Sequence, residues 1–404
     1  MTSRRHGLIL FATLVAISCD SAPQSRGTMA TDSAGIRIVT SDPMHSDATC
    51  TLSGEPLVTI GEEGEDENLW FSRIGGTGLL SDGSIAVVDG ASSELRVFSS
   101  DGRHLWTAGG SGEGPGEFTR AWYLWVLPGD TLWVGNLRPW GYNVYAGNGE
   151  FVRSVDGVTH YGNPTRGGGV LDNGVSVNGS WGPSYVRNFT TPDTLILEAH
   201  SPDGDLIKTL ARVPNMVEGT TKKSEALGIN LILNPLFSAR ALADAGGNTI
   251  AIGHGRDPEV RLLDEEFRLR RIVRWSESGR EVTSADVRAY RDGYLESRGG
   301  RDSGRWSDAD EVQIDPDRPT ADVFPAFTSI GVSRDNRLWV LPYRRPGQDP
   351  RQWMGFEPDG TFLCHLALTH PDFSANEFGA DYVLGVEADE LGVQTVVMYR
   401  LTRE

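Results

Sequence analysis

The phrase Ile60-Gly-Glu-Glu-Gly-Glu-Asp-Glu-Asn-Leu-Trp-Phe71 is echoed by Ala108-Gly-Gly-Ser-Gly-Glu-Gly-Pro-Gly-Glu-Phe118. Each copy follows a short apolar run and precedes a Ser/Thr-Arg step, Ser72-Arg73 or Thr119-Arg120. The two phenylalanines lie 47 positions apart, a period at which one repeat makes one blade of a β-propeller. A closed repeat fold lets 404 residues form a single ring, where the length alone would suggest two or three domains. The 49 glycines suit a chain of short strands and tight turns.

Two series of turn signals count the blades. The first runs Asp82-Gly83, Gly129-Asp130, Asn173-Gly174, Gly247-Asn248, Asp335-Asn336 and Gly379-Ala380-Asp381, each followed by a short apolar strand. The second runs Asp101-Gly102, Asn148-Gly149, Asp203-Gly204, Glu265-Glu266 and Asp359-Gly360, and stops one short of the first. The last unit therefore ends on its third strand, Val396–Leu401. Residues 56–60 form a strand with no partner of their own, and they are expected to supply the missing fourth. Such a clasp closes the ring and removes two free sheet edges. The expected fold is an all-β, six-bladed propeller of four-stranded blades. Ile36–Val39 is one more edge strand that the pattern does not place.

Two excursions break the repeat, at 216–233 and at 277–320. In the second, between the fourth and fifth blades, Thr283-Ser-Ala-Asp286 reads as a capping box. Val287, Tyr290 and Tyr294 follow at helical spacing, and Gly299-Gly300 ends the helix.

The N-terminus reads as an export segment. Arg4-Arg5 precede an apolar stretch, and Ala16-Ile17-Ser18-Cys19 resembles a bacterial lipobox. On that reading residues 1–18 are a signal peptide, Cys19 is lipidated, 19–34 is a flexible tether and 35–404 is the propeller domain. The protein is then held in the bacterial cell envelope by its lipid, facing the periplasm or the outer surface. Cys50 and Cys364 fall near outer strands of adjacent blades and are a candidate disulfide in that oxidising compartment; two free thiols are the alternative. A formal charge of −18 argues against nucleic acid as a partner.

The best-formed unit runs Val88-Asp89, Leu95–Phe98, Asp101-Gly102, Leu105-Trp106, Gly109–Phe118. It resembles the NHL repeat, and more narrowly the bacterial lipoproteins described as six-bladed β-propellers with NHL-like repeats. The resemblance implies the six-bladed architecture and no settled activity.

Candidate chemistry is sparse. The glycine-rich phrase lacks the helix and the Lys-Ser/Thr pair of a phosphate loop, and Glu113 and Glu117 would repel an anion, so it reads as a connector. The eight histidines show no ligand spacing, and His254 alone follows a second strand. No metal site or cofactor is assigned. Arg73, Arg120, Arg166 and Arg240 recur where innermost strands begin, the last two offset by two residues. A collar of guanidinium groups at a channel mouth would select a carboxylate or phosphate. Pairing with Glu117, Asp244 or Asp381 would instead make them struts. The chain thus reads as a monomeric binding or interaction module, for a small anionic ligand or a protein. The alternative is a metal-dependent, lactonase-like propeller hydrolase or lyase, for which Asn163, Asn234, Asn376 and Glu377 are the nearest donors to inner-strand starts.

Overall fold

The computed structural model describes residues 27–61, 66–137, 139–157, 168–181, 193–216, 220–224, 229–345, 352–368, 370 and 372–403. The chain begins with β1 (Met29–Ser33), β2 (Ile36–Ser41), β3 (Thr49–Leu52) and β4 (Val58–Ile60). The duplicated phrase then brackets an antiparallel four-stranded sheet of β5 (Ile74–Leu79), β6 (Ile85–Asp89), β7 (Glu94–Phe98) and β8 (His104–Gly109). A second four-stranded sheet holds β9 (Ala121–Leu127), β10 (Thr131–Leu137), β11 (Trp140–Tyr145) and β12 (Phe151–Asp156).

The pattern recurs in β13 (Gly169–Val170), β14 (Ser176–Trp181), β15 (Asp193–His200) and β16 (Leu206–Met216). A hairpin of β17 (Thr220–Ser224) and β18 (Ile229–Leu233) follows, where the sequence showed its first excursion. Next come β19 (Ala241–Gly246), β20 (Thr249–His254), β21 (Glu259–Leu263) and β22 (Leu269–Trp275), with Gly169 of β13 paired to Ala245 of β19. The second excursion carries α1 (Ser284–Ser297) and α2 (Asp308–Gln313). Thr283 caps α1, its side chain and that of Asp286 exchanging bonds with each other's backbone. The chain ends with β23 (Phe327–Val332), β24 (Leu338–Pro342), β25 (Gln352–Phe356), β26 (Phe362–Ala367), then β27 (Phe373–Phe378), β28 (Tyr382–Ala388) and β29 (Gln394–Arg403).

Burial explains why these segments fold as they do. Second strands such as β6 are buried at every residue, being covered on both faces by neighbouring sheets. The outer strand β8 alternates half-buried and exposed positions instead. First strands β5, β9, β19, β23 and β27, with the end of β13, surround one channel. Sheets arranged in this way around a channel make the fold a β-propeller.

The duplicated phrase has a local physical basis. Gly61 and Gly109 both adopt positive φ, at 110° and 85°. A Cβ on either would stand about 3 Å or less from the ring of Phe71 or Phe118 respectively. Both rings are buried, Phe71 against Phe98 and Phe118 against Tyr145. Each phrase thus turns the chain from one sheet to the next and drops a ring into the gap. Glu117 caps its own loop by accepting the Gly114 N–H at 2.8 Å.

The N-terminal segment binds the later sheets together. β4 pairs with β29 through Val58↔Met398, Thr59↔Val397 and Ile60↔Val396. β3 lies between β26, to which it is parallel, and the last residues of β29. The sulfurs of Cys50 and Cys364 are bonded there, with their Cα atoms 5.6 Å apart. Ile36–Val39, unplaced by the repeat pattern, belongs to β2, which runs parallel to β22. Met29–Ser33 falls inside the stretch read as tether yet forms β1, because β2 presents an edge that a short hairpin can extend. Cys19 and the export segment lie outside the described residues.

Candidate functional site

The channel holds a cavity of about 460 Å³. Its two ends differ in chemistry because opposite ends of the innermost strands supply them.

At the end where these strands begin, Arg73, Arg120 and Arg240 directly precede β5, β9 and β19. Their positions are equivalent. The carbonyl of Arg73 accepts from Gly90 N–H at 2.7 Å, that of Arg120 from Leu137 at 3.0 Å, and that of Arg240 from Gly255 at 2.9 Å. A side chain in the last two residues of the second strand also holds the first-strand backbone in the first two sheets. Asp89 Oδ1 accepts from Arg73 N–H at 3.2 Å, and Asn136 Oδ1 accepts from Arg120 N–H at 2.9 Å. The offset read for Arg240 therefore lies in the turn rather than the strand. The first sheet turns through a loop closed by Leu80 N–H to Ser84 O, whereas the fourth turns on Gly247-Asn248 alone.

The side chains of Arg73 and Arg120 converge. Their guanidinium carbons stand 5.8 and 5.6 Å from the centre of the Trp122 indole, within the range of cation–π attraction. Both arginines are exposed, and Trp122 itself lines the cavity. Among the described residues, neither forms an ion pair with a carboxylate. Glu117 is committed to its own loop, and Asp244 Oδ2 accepts from Val332 N–H at 2.7 Å. Arg240 is exposed at its own strand start, and Arg166 lies outside the described residues. Trp122 was missed by the sequence reading, although it stands two residues after Arg120 in the same strand register.

The opposite end is acidic. Arg334 Nη2 reaches Glu377 Oε1 at 2.7 Å and the Leu79 carbonyl at 2.7 Å. Glu377 also accepts from Tyr382 O–H at 2.5 Å and Leu79 N–H at 3.2 Å. Burial pushes the Glu377 carboxyl above the usual range while the Arg334 charge opposes it. Asp172 is likewise raised by desolvation, with Arg334 again opposing. Asn376 and Glu377 therefore stand near the end of β27, not at an inner-strand start, since that strand begins at Phe373. Asn163 lies outside the described residues, and Asn234 gives its carbonyl to Arg318 Nε at 2.8 Å.

His254 ends β20, and its Nδ1 accepts from Arg256 N–H at 3.2 Å. Burial holds its pKa below the ordinary imidazole value. Among the described residues, no three His, Cys, Asp or Glu side chains are placed to hold a metal ion.

No family model matches the sequence, and a search of curated proteins returned no match. Solved structures are similar in fold. An exported protein of Bacteroides fragilis aligns at a TM-score of 0.50 with 12% identity, over 91% of this chain and 99% of that one. A DUF4221-family protein of Bacteroides vulgatus aligns at 0.50 with 9% identity, over 88% and 99%. Regucalcin, a calcium-binding protein of Agrobacterium tumefaciens, aligns more loosely at 0.39 with 10% identity, over 87% and 95%.

Proposed function

We propose that this chain is a six-bladed β-propeller of the cell envelope that binds an anionic ligand at the channel mouth framed by Arg73, Arg120 and Trp122. The blade number rests on the first strands β5, β9, β13, β19, β23 and β27, with β4 as the fourth strand beside β29. The lipobox-like segment ending at Cys19 supports lipid anchoring outside the cytoplasm, and the likeness to an exported protein agrees with it. No helix among the described residues is long and apolar enough to cross a membrane.

The convergence of two guanidinium groups on one indole carries the reading. Two like charges beside one ring repel each other, and neither is neutralised by a described carboxylate. A carboxylate or phosphate between them removes that repulsion and gains charge-assisted hydrogen bonds, while the indole supplies an apolar wall. Exposed arginine pairs with free forks are the side chains that recognise planar anions best. The metal-dependent hydrolase reading has no comparable support among the described residues.

The test is titration of the full chain with citrate, inorganic phosphate and oligogalacturonate, followed by tryptophan fluorescence. Saturable quenching by at least one of these anions, weakened by salt, is the expected result. A flat response to all three would sink the proposal.

A further inference from the structure

We propose that the ligand of the arginine-framed mouth is an elongated dianion. One anionic group is held by Arg73 and Arg120, and the other by Arg240 across the channel. This deepens the anion reading above and rests on it.

Backbone register places one rim position in five blades. Ile74 pairs with Asp89, Ala121 with Asn136, Ala241 with His254, Phe327 with Pro342 and Phe373 with Glu387. The residues just before these first strands are therefore equivalent: Arg73, Arg120, Arg240, Ala326 and Asp372. Contacts between first strands give their order around the channel. β5 lies beside β9 and β27, β9 lies beside β13, and β19 lies between β13 and β23. The β23 and β27 blades meet where Trp339 stacks on Phe378. Arg240 thus stands three steps from Arg73 in either direction, on the far side of the mouth.

The charge around this rim is uneven. Two cations converge beside Trp122, a third stands opposite them, Ala326 is neutral and Asp372 is acidic. Arg240 is exposed and, among the described residues, forms no ion pair with a carboxylate. A single small anion at Arg73 and Arg120 would leave it unused.

The approach to Arg240 is fixed from outside the ring. Leu236 N–H donates to the Pro319 carbonyl at 2.8 Å, and Ala321 N–H donates to the Leu236 carbonyl at 2.9 Å. Phe237 is buried against Phe324 and against Tyr290 of α1, with ring centres 4.8 and 5.7 Å apart. Just past the arginine, Ala241 N–H donates to the Asn215 side chain at 3.1 Å. The excursion that carries both helices therefore braces the strand start that presents this guanidinium. A braced contact point loses less freedom on binding.

Spacing selects the ligand. Packed sheets stand about 10 Å apart, so strands three steps around such a ring face each other across about 20 Å. Arginine side chains reaching in from both sides shorten that gap, yet no single carboxylate or phosphate bridges it. Joining two anionic groups by a spacer makes the second contact intramolecular, and the gain peaks when the spacer matches the span.

Calorimetric titration of the full chain with α,ω-dicarboxylates of increasing length, each beside its own monomethyl ester, tests the proposal. The ester keeps the chain and one charge. Affinity for the diacids should peak at one length, where the diacid binds about tenfold or more tighter than its ester. Arg240→Ala should erase that advantage, and Arg240→Glu should invert it. Diacids no tighter than their esters at every length would overturn the proposal and leave the anion mouth standing. An advantage that survives in both Arg240 variants would overturn it equally. Binding of neither series would remove the anion mouth, and the dianion with it.

Discussion

Arg334 and Glu377 meet at 2.7 Å across the seam between the β23–β26 and β27–β29 sheets. The same guanidinium bonds the carbonyl of Leu79, at the end of β5, so one side chain ties the first, fifth and last first-strands together. Shorter stitches repeat this around the same end. Ser81 donates to Asp130, and Asn248 N–H donates to the Asn336 side chain at 2.8 Å. The ends of the innermost strands are therefore locked to one another. Their starts, where Arg73 and Arg120 stand, leave charged side chains facing solvent.

The buried carboxylate makes the lock costly to break. Glu377→Ala strands the Leu79 N–H, the Tyr382 hydroxyl and one guanidinium. A loss of about 2–4 kcal/mol is expected, measured by urea denaturation.

Removing the other partner should show itself through pH. Burial raises Glu377 above its ordinary value of 4.5, and Arg334 limits that rise. A carboxyl raised in the folded state favours folding most below its unfolded pKa, and the benefit is lost as pH climbs through the folded value. Arg334→Ala lifts the folded value further. Its melting deficit should therefore be small at pH 4 and larger at pH 8; equal deficits at both would contradict the assignment.

The early and late parts of the chain are joined by a strand of three residues, β4, paired with β29. Ile60, 1% exposed, packs with Val396, Leu384 and Phe71 in one cluster spanning the chain's two ends. Ile60→Ala should cost about 2–5 kcal/mol, read by thermal melting. Hydrogen exchange at β29 should accelerate with it.

The Cys50–Cys364 bond spans 314 residues of sequence and pins β3 beside β26. A crosslink over so long a loop restricts the unfolded chain, so Cys50→Ser should cost about 2–4 kcal/mol. Reductant should lower the melting temperature of the wild type and leave Cys50→Ser unmoved.

Gly75 lets β5 approach β9: a Cβ there would meet the Trp122 carbonyl oxygen at 2.3 Å. Backbone cannot yield as a side-chain tip can, so Gly75→Ala should cost about 1–3 kcal/mol. It should also displace Trp122 from its place beside the two guanidinium groups and weaken anion binding in the same titration.

What was legible in the sequence was what is local. The Gly61–Phe71 and Gly109–Phe118 pairs lie within one connector each, so their phrase repeats visibly, and the Thr283 cap is complete within four residues. The pairing of 56–60 with the last strand was readable by subtraction, since one turn signal was missing. The strap of β1, β2 and β3 was not, because parallel pairing with β22 and β26 leaves no turn signature between partners so distant in sequence. The Arg334–Glu377 contact was hidden for another reason: it depends on where β23 and β27 end, and turn lengths vary from sheet to sheet. That same variation displaced the sequence reading of Arg240 by two positions.

The anion mouth is the core of the functional account, and one paired measurement tests it most directly. Arg73→Ala/Arg120→Ala is titrated with the anion that quenches the wild type, and its melting temperature is recorded on the same sample. Both side chains are exposed and free of described carboxylates, so affinity should fall at least tenfold while melting shifts by no more than about 2 °C, as for ordinary surface substitutions. Wild-type affinity accompanied by a large drop in melting temperature would make these arginines struts of the ring and contradict the account.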